Sequence, residues 1–148
     1  MPSYTHRVRV PEIDNQGYVF NSRYLEIADA ALTEFLRAGR LTLDALRISG
    51  FDPSVVETTV RYRLPAKLDD LLRVETQCVR VGVSSFEMSF EISRDEKPVA
   101  TIRTVYVNVD PSTDRSRPMP EVVTDYLRGA NEAHTAGTSH IPTATVLH

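Results

Sequence analysis

Asp14 stands in a polar turn, Gly17 follows three residues later, and Asn21-Ser22-Arg23-Tyr24 opens an amphipathic stretch. A carboxylate beside the free backbone N–H groups of a helix N-terminus suits attack on a carbonyl. The acid activates the attacking group, while the amides, with the helix dipole behind them, stabilise charge building on the carbonyl oxygen. Gly17 permits a tight turn and a close approach of substrate to the backbone. Other chemistries are poorly served. No serine sits in a Gly-x-Ser-x-Gly elbow, and no glycine-rich phosphate loop occurs. His6 falls in a short β-branched run and reads as structural or exposed. His134, His140 and His148 lack the spacing of metal ligands. Glu26 and Asp29 fall on the helix, where acids are ordinarily solvated or paired. Cys78, the single cysteine, lies in an alternating apolar run and reads as an inert core residue.

The elements that must hold this turn can be read from periodicity. Residues 5–10 read as a first strand closed by Pro11, and 12–21 as a structured loop. Tyr24, Ile27, Ala28, Ala31, Leu32, Phe35 and Leu36 then follow the i, i+3, i+4, i+7 pattern of a helix with one buried stripe. Asn21 or Ser22 can cap its start, and Gly39 stands where a C′ glycine ends a helix. Residues 41–46 allow one more short turn of helix. After Gly50 the period changes to two. Val56, Thr58, Val60, Tyr62 and Leu64 predict a half-buried strand, and two further alternating runs cover 72–78 and 85–92. A hairpin connection at 95–98 leads into a long strand over 99–109, and 121–133 predicts a closing helix. Strands joined by short turns make an antiparallel sheet. The fold class is α+β, with one antiparallel sheet wrapped around one long central helix. The strand over 99–109 is apolar on both faces, which leaves a face or edge for a second subunit and predicts a homodimer, possibly a tetramer.

The 148 residues fit one domain, assigned to 1–133, with 134–148 expected to be a poorly ordered tail. A net charge of −3 argues against a general nucleic-acid binder. No apolar run is long enough for a membrane span, and the first residues show no secretory signal, so a reducing cytoplasmic setting is expected.

Three motifs in register carry a resemblance. Asp14, Gly17, Val19, Asn21 and Tyr24 are similar to an acid-x-x-Gly-x-Val-x-(Asn/His)-x-x-Tyr signature. Tyr62 through Asp70 resembles an aromatic-x-x-Pro-Ala strand end closed by an Asp. Val109-Asp110 through Arg117-Pro118-Met119-Pro120 resembles a Val-Asp…Arg-Pro-x-Pro ending. Together, over residues 5–128, the chain resembles the hotdog-fold acyl-CoA thioesterases, in particular the 4-hydroxybenzoyl-CoA thioesterase type. The resemblance implies Asp14 as the catalytic carboxylate, nucleophile or general base. It implies the backbone N–H of Asn21 as the oxyanion donor. Gly17, Tyr18, Val19, Tyr24, Tyr62, Pro65 and Ala66 are then expected to shape the substrate site, with Tyr18 and Phe20 making an aromatic lip. No metal or prosthetic group is implied; coenzyme A or phosphopantetheine enters as part of the substrate. Where some relatives carry basic residues for the coenzyme's phosphates, this chain reads Gly82-Val83-Ser84 with Arg80 nearby. Arg61, Arg63, Lys67 and Arg94 are the substitutes on offer, and an acyl carrier protein is the alternative donor. A non-catalytic hotdog module that binds acyl thioesters is the reading from a different class; a hydratase on the same fold lacks its Asp-x-x-x-x-His motif here.

Overall fold

The computed structural model describes residues 3–138, with 132–138 as backbone only. The elements follow in the order β1 (Ser3–Arg7), α1 (Arg23–Ala38), α2 (Leu43–Ile48), β2 (Pro53–Tyr62), β3 (Leu71–Val81), β4 (Ser85–Arg94), β5 (Lys97–Asp110), β6 (Arg115–Ser116) and α3 (Glu121–Thr138). The main strands form one antiparallel sheet in the order β1-β3-β4-β5-β2, and the short β6 pairs with β5. Among the described residues no helix is long and apolar enough to cross a membrane.

One face of the sheet makes the core. Leu72, Val74 and Cys78 of β3, Phe86, Met88, Phe90 and Ile92 of β4, and Ala100, Ile102 and Tyr106 of β5 are all buried. Onto this face α1 lays the stripe its sequence predicts, Tyr24, Ile27, Ala28, Ala31, Leu32, Phe35 and Leu36. Fully burying a side chain such as Phe35 contributes about 1.5–3 kcal/mol, so this stripe fixes the helix firmly to the sheet. Cys78 is buried in the core, and burial pushes its thiol up to about 11, far from the reactive thiolate.

Several expectations are corrected. The sheet carries two long helices, not one, because α3 runs from Glu121 to Thr138 and adds Val123 and Leu127 to the same core. The closing helix expected to end at 133 runs on to Thr138, and residues 139–148, with His140 and His148, lie outside the described residues. The first strand ends at Arg7, and Pro11 falls inside a 3-10 turn over Val10–Glu12. Gly39 is not the left-handed terminator, since its φ is −90° and Arg40 takes the positive φ of 62°. A Cβ at Gly39 would lie 2.3 Å from the Tyr126 ring, whose hydroxyl donates to Phe35 O at 2.6 Å. The glycine is there for room, letting α3 dock against the end of α1. The edges of the main sheet are β1 and β2, so an edge for a second subunit is not found on β5, which lies between β4 and β2. In β2 the register places Thr58, Val60 and Tyr62 opposite Thr104, Ile102 and Ala100. A bulge between Val55 and Glu57 puts Val55, not Val56, opposite Tyr106. The expected half-burial of β2 is incomplete, because no helix covers this edge: Val55 and Val56 are 52% and 59% exposed, and Tyr62 is 51% exposed.

Candidate active site

The segment between Ile13 and Val19 is a tight hairpin. Asp14 N donates to Tyr18 O at 2.8 Å, Gly17 N donates to Asp14 O at 2.9 Å, and Gly17 has a φ of +81°. A left-handed residue after a type I turn is a position that glycine fills without a Cβ penalty. Asp14 also organises the turn with its side chain: Oδ1 accepts from Gln16 N at 2.8 Å and from Tyr18 N at 3.1 Å. Both of those bonds fall on one oxygen, so the turn's own hydrogen bonds do not use Oδ2.

Two neighbours fix the hairpin. On one side Phe20 N donates to Glu12 O at 2.8 Å. Glu12 is itself held by Arg9 N at 2.7 Å and by His6 Nε2 at 2.7 Å, so His6 buttresses the loop and does not enter the site. On the other side Val19 N donates to Ala66 O at 2.8 Å, and Tyr18 bridges Lys67. β2 ends at Tyr62, and Pro65 lies in the connection that carries the chain past the hairpin.

The chain then enters α1 without a side-chain cap. Ser22 occupies the N-cap position but makes no capping hydrogen bond, which corrects the expected Asn21 or Ser22 cap. The amides of Asn21 and Ser22 meet no backbone oxygen among the described residues. Donors left open at a helix N-terminus, with the dipole aligned behind them, form a ready anion site. Asn21 O is meanwhile pinned by the Tyr62 hydroxyl, which donates to it at 2.7 Å. Tyr62 packs edge-on against Tyr24, with ring centroids 5.5 Å apart. Burial pushes both tyrosine hydroxyls up from their ordinary value, so they remain protonated donors at neutral pH; for Tyr24 a hydrogen bond with the Ala66 backbone works the other way.

These residues surround a cleft of ≈ 330 Å³. Asp14 and Asn21 share it with Tyr18, Val19, Tyr24, Tyr62 and Pro65. Gly17 and Ala66 are not in the lining: Gly17 shapes the turn, and Ala66 is fully buried beneath it. Phe20, Arg63 and Leu64 join the wall. Leu64 carried no chemical signal in the sequence; it is found only because β2 kinks at its end, where Arg63 N and Leu64 N both reach Val99 O, at 2.8 and 3.2 Å. Of the basic residues considered for phosphate binding, Arg63 lines the cleft. Arg94 is committed to Pro65 O and Asp70, Lys67 Nζ sits 5.8 Å over the Tyr18 ring, and Arg80 bonds Ser85 Oγ at 3.3 Å. The helix acids stay outside. Glu26 pairs with Arg23 at 3.1 Å, and the Asp29 carboxyl is pushed up by burial and then by Glu26.

A family model described as the thioesterase-like superfamily matches residues 8–127. A 1,4-dihydroxy-2-naphthoyl-CoA hydrolase of Synechococcus elongatus is 27% identical over 124 residues, covering 82% of this chain and 90% of that protein. The acyl-CoA thioester hydrolase YbgC of Escherichia coli is 28% identical over 118 residues, covering 79% and 88%. Among solved structures, a 1,4-dihydroxy-2-naphthoyl-CoA thioesterase from Synechocystis superposes with a TM-score of 0.78 at 22% identity, covering 85% of this chain and 94% of that one. That likeness is one of fold.

Proposed function

Because this chain belongs to the thioesterase-like superfamily, we propose that it hydrolyses acyl-CoA thioesters in the cleft between the 13–19 hairpin and the start of α1. The observation that carries the reading is the meeting of a carboxylate and an uncapped helix N-terminus in one aromatic-walled cleft. Asp14 takes the proton of an attacking water, or itself attacks the thioester carbon. The carbonyl oxygen gains negative charge and is held by the Asn21 amide, where the helix dipole favours it. With water as the nucleophile the tetrahedral adduct collapses, the C–S bond breaks, and the proton taken by Asp14 passes to the leaving thiolate, giving thiol and carboxylic acid. With Asp14 as the nucleophile the collapse expels the thiolate and leaves an acyl–Asp14 anhydride. Water then hydrolyses the anhydride to the carboxylic acid and the free Asp14 carboxylate, while its proton goes to the thiolate. Fixed backbone donors need no reorganisation at that moment.

Tyr18, Phe20, Tyr24 and Tyr62 bring four rings to the cleft, and this lining suits a flat aromatic acyl group. An aryl thioester is the substrate class that fits it best, and the Synechococcus elongatus relative is named for one such substrate, 1,4-dihydroxy-2-naphthoyl-CoA. Arg63 is the basic residue placed to meet an anionic part of the substrate or its carrier.

The working unit is a homodimer formed along β2. An open edge with exposed Val55 and Val56 is a surface that soluble proteins cover. Tyr62 ends this strand and lines the cleft, so a second copy on the edge closes the site.

A panel of aryl and alkyl thioesters, each presented on coenzyme A and on an acyl carrier protein, tests the reading. Turnover highest with aryl-CoA supports it. If no thioester turns over while one raises the melting temperature, the chain is a binding module and the catalytic reading is wrong.

A further inference from the structure

The loop joining β2 to β3 is closed on itself by one ion pair that does not line the cleft. Arg94, the last residue of β4, directs Nη1 to two acceptors, Pro65 O at 3.0 Å and Asp70 Oδ2 at 2.7 Å. The same Oδ2 accepts from Lys67 N at 2.8 Å. Pro65, Lys67 and Asp70 are thereby locked together around Ala66. From Ala66 the connection to the cleft is short: Val19 N donates to Ala66 O at 2.8 Å, and the Tyr24 hydroxyl meets the Ala66 backbone. The adjoining Tyr18–Lys67 bridge brings in the residue whose N–H bonds Asp14 Oδ1 and whose carbonyl takes Asp14 N.

We propose that Asp70 and Arg94 form a positioning pair that sets Asp14 against the N-terminus of α1 through the Ala66 backbone. The proposal rests on the thioesterase reading above. Two observations separate this role from simple stabilisation. Both side chains are about one-quarter exposed, at 24% and 26%, much as in the Asp52–Arg117 pair outside the cleft at 25% and 31%, so a loss of stability alone would be common to both pairs. Yet the acceptors of Arg94 are the groups that fix the hairpin's neighbour, so the loss of its pair displaces the reacting geometry. The Asp70 carboxylate is suited to a standing clamp. Burial pushes it up, but the Lys67 amide and Arg94 more than offset this, and it lies below the ordinary value.

The test compares Asp70→Asn, Arg94→Met and Arg94→Lys with wild type, using benzoyl-CoA for steady-state kinetics and thermal melts for the fold. Asp52→Asn serves as control. It breaks a pair of matching exposure, Arg117–Asp52 at 3.1 Å, which ties the α2–β2 connection to the segment before α3 and lies outside the cleft. The expected result is a fall in kcat of about tenfold or more for Asp70→Asn and Arg94→Met, with KM within about twofold, since a misplacement near 1 Å costs up to a hundredfold. Arg94→Lys recovers most of the loss, because an ammonium can donate to both acceptors. Asp52→Asn keeps kcat. Should Asp70→Asn not fold, the Arg94→Lys and Arg94→Met pair carries the comparison. Wild-type kcat in both clamp variants, beside an inactive Asp14→Asn, overturns the positioning role alone. A loss that tracks melting temperature equally in the clamp and Asp52 variants overturns it too. An Asp14→Asn enzyme as active as wild type overturns Asp14 as the catalytic carboxylate, and the clamp with it, whereas a wild-type protein that turns over no thioester overturns the thioesterase reading.

Discussion

Asp14 has two carboxylate oxygens, and the turn's own hydrogen bonds use one of them. Oδ1 ties the turn through Gln16 N and Tyr18 N, which makes the loop's shape depend on the same residue that is proposed to do the chemistry. An amide at this position keeps an acceptor for those bonds while removing the charge, so Asp14→Asn separates the structural job from the chemical one. Tyr62 is the second residue whose role can be isolated. Its hydroxyl holds Asn21 O at 2.7 Å, while its ring is half exposed and contributes modestly to the core. A hydrogen bond of this kind is worth about 0.5–1.5 kcal/mol. Tyr62→Phe is therefore expected to lower kcat by about twofold to tenfold, with a small change in melting temperature. Kinetics and a melt on one preparation check both. Equal losses in Tm and kcat would assign Tyr62 to the fold and not to the site. At this scale the sequence located the turn of Asp14 and Gly17 and the start of α1, because turn and helix-start residues have local signatures. It was silent on Leu64, whose place depends on a kink at the end of β2, and it misassigned Gly39. The room that Gly39 leaves is for Tyr126, a residue far along the chain.

The elements meet in two ways that make predictions. Where α1 ends, Gly39 lies under the Tyr126 ring, and any added Cβ must push α3 away. Overpacking at such contacts costs about 1–3 kcal/mol, so Gly39→Ala is expected to melt earlier while keeping its activity at low temperature. Denaturant unfolding measures the difference, and an unchanged midpoint would mean that α3 yields freely. Where β2 hands over to β3, the Asp70 carboxyl sits below its ordinary value because hydrogen bonds and Arg94 outweigh burial. A carboxyl with a depressed folded pKa stabilises the fold fully above its unfolded value, about 4, and loses that contribution as pH falls through the folded value. The melting temperature of wild type is expected to fall relative to Asp70→Asn on acidification below about pH 4. Parallel Tm-against-pH curves for the two would remove Asp70 from the acid response. The periodicities of α1 and the strands could be read from sequence because burial on one face writes a pattern. The openness of β2 could not, since its alternation is the same whether or not a helix covers it.

For the molecule as a whole, the open β2 edge and the aromatic cleft beside it belong to one design. In the proposed homodimer, the outer strand that exposes Val55 and Val56 is covered by another copy. Val56→Lys on this edge is expected to give a monomer by analytical ultracentrifugation and to lose most activity, because Tyr62 and the cleft lie at the end of the same strand. An active monomer would show that one chain holds a complete site. The sequence motifs pointed to a thioesterase fold because they mark turns around Asp14 and Ala66, and those turns border the cleft in which the chemistry is proposed. The acyl group was not readable in the same way, since the cleft draws its wall from residues 14–24 and 62–65 together, and its depth depends on what covers the edge. The account's central claim is that the Asp14 carboxylate drives thioester cleavage at the start of α1. It is tested most directly by the kcat of Asp14→Asn on an aryl-CoA thioester, with the fold verified by an unchanged melt. A fall of at least about a hundredfold is predicted, the usual contribution of a catalytic acid or base; a kcat equal to that of wild type would contradict it.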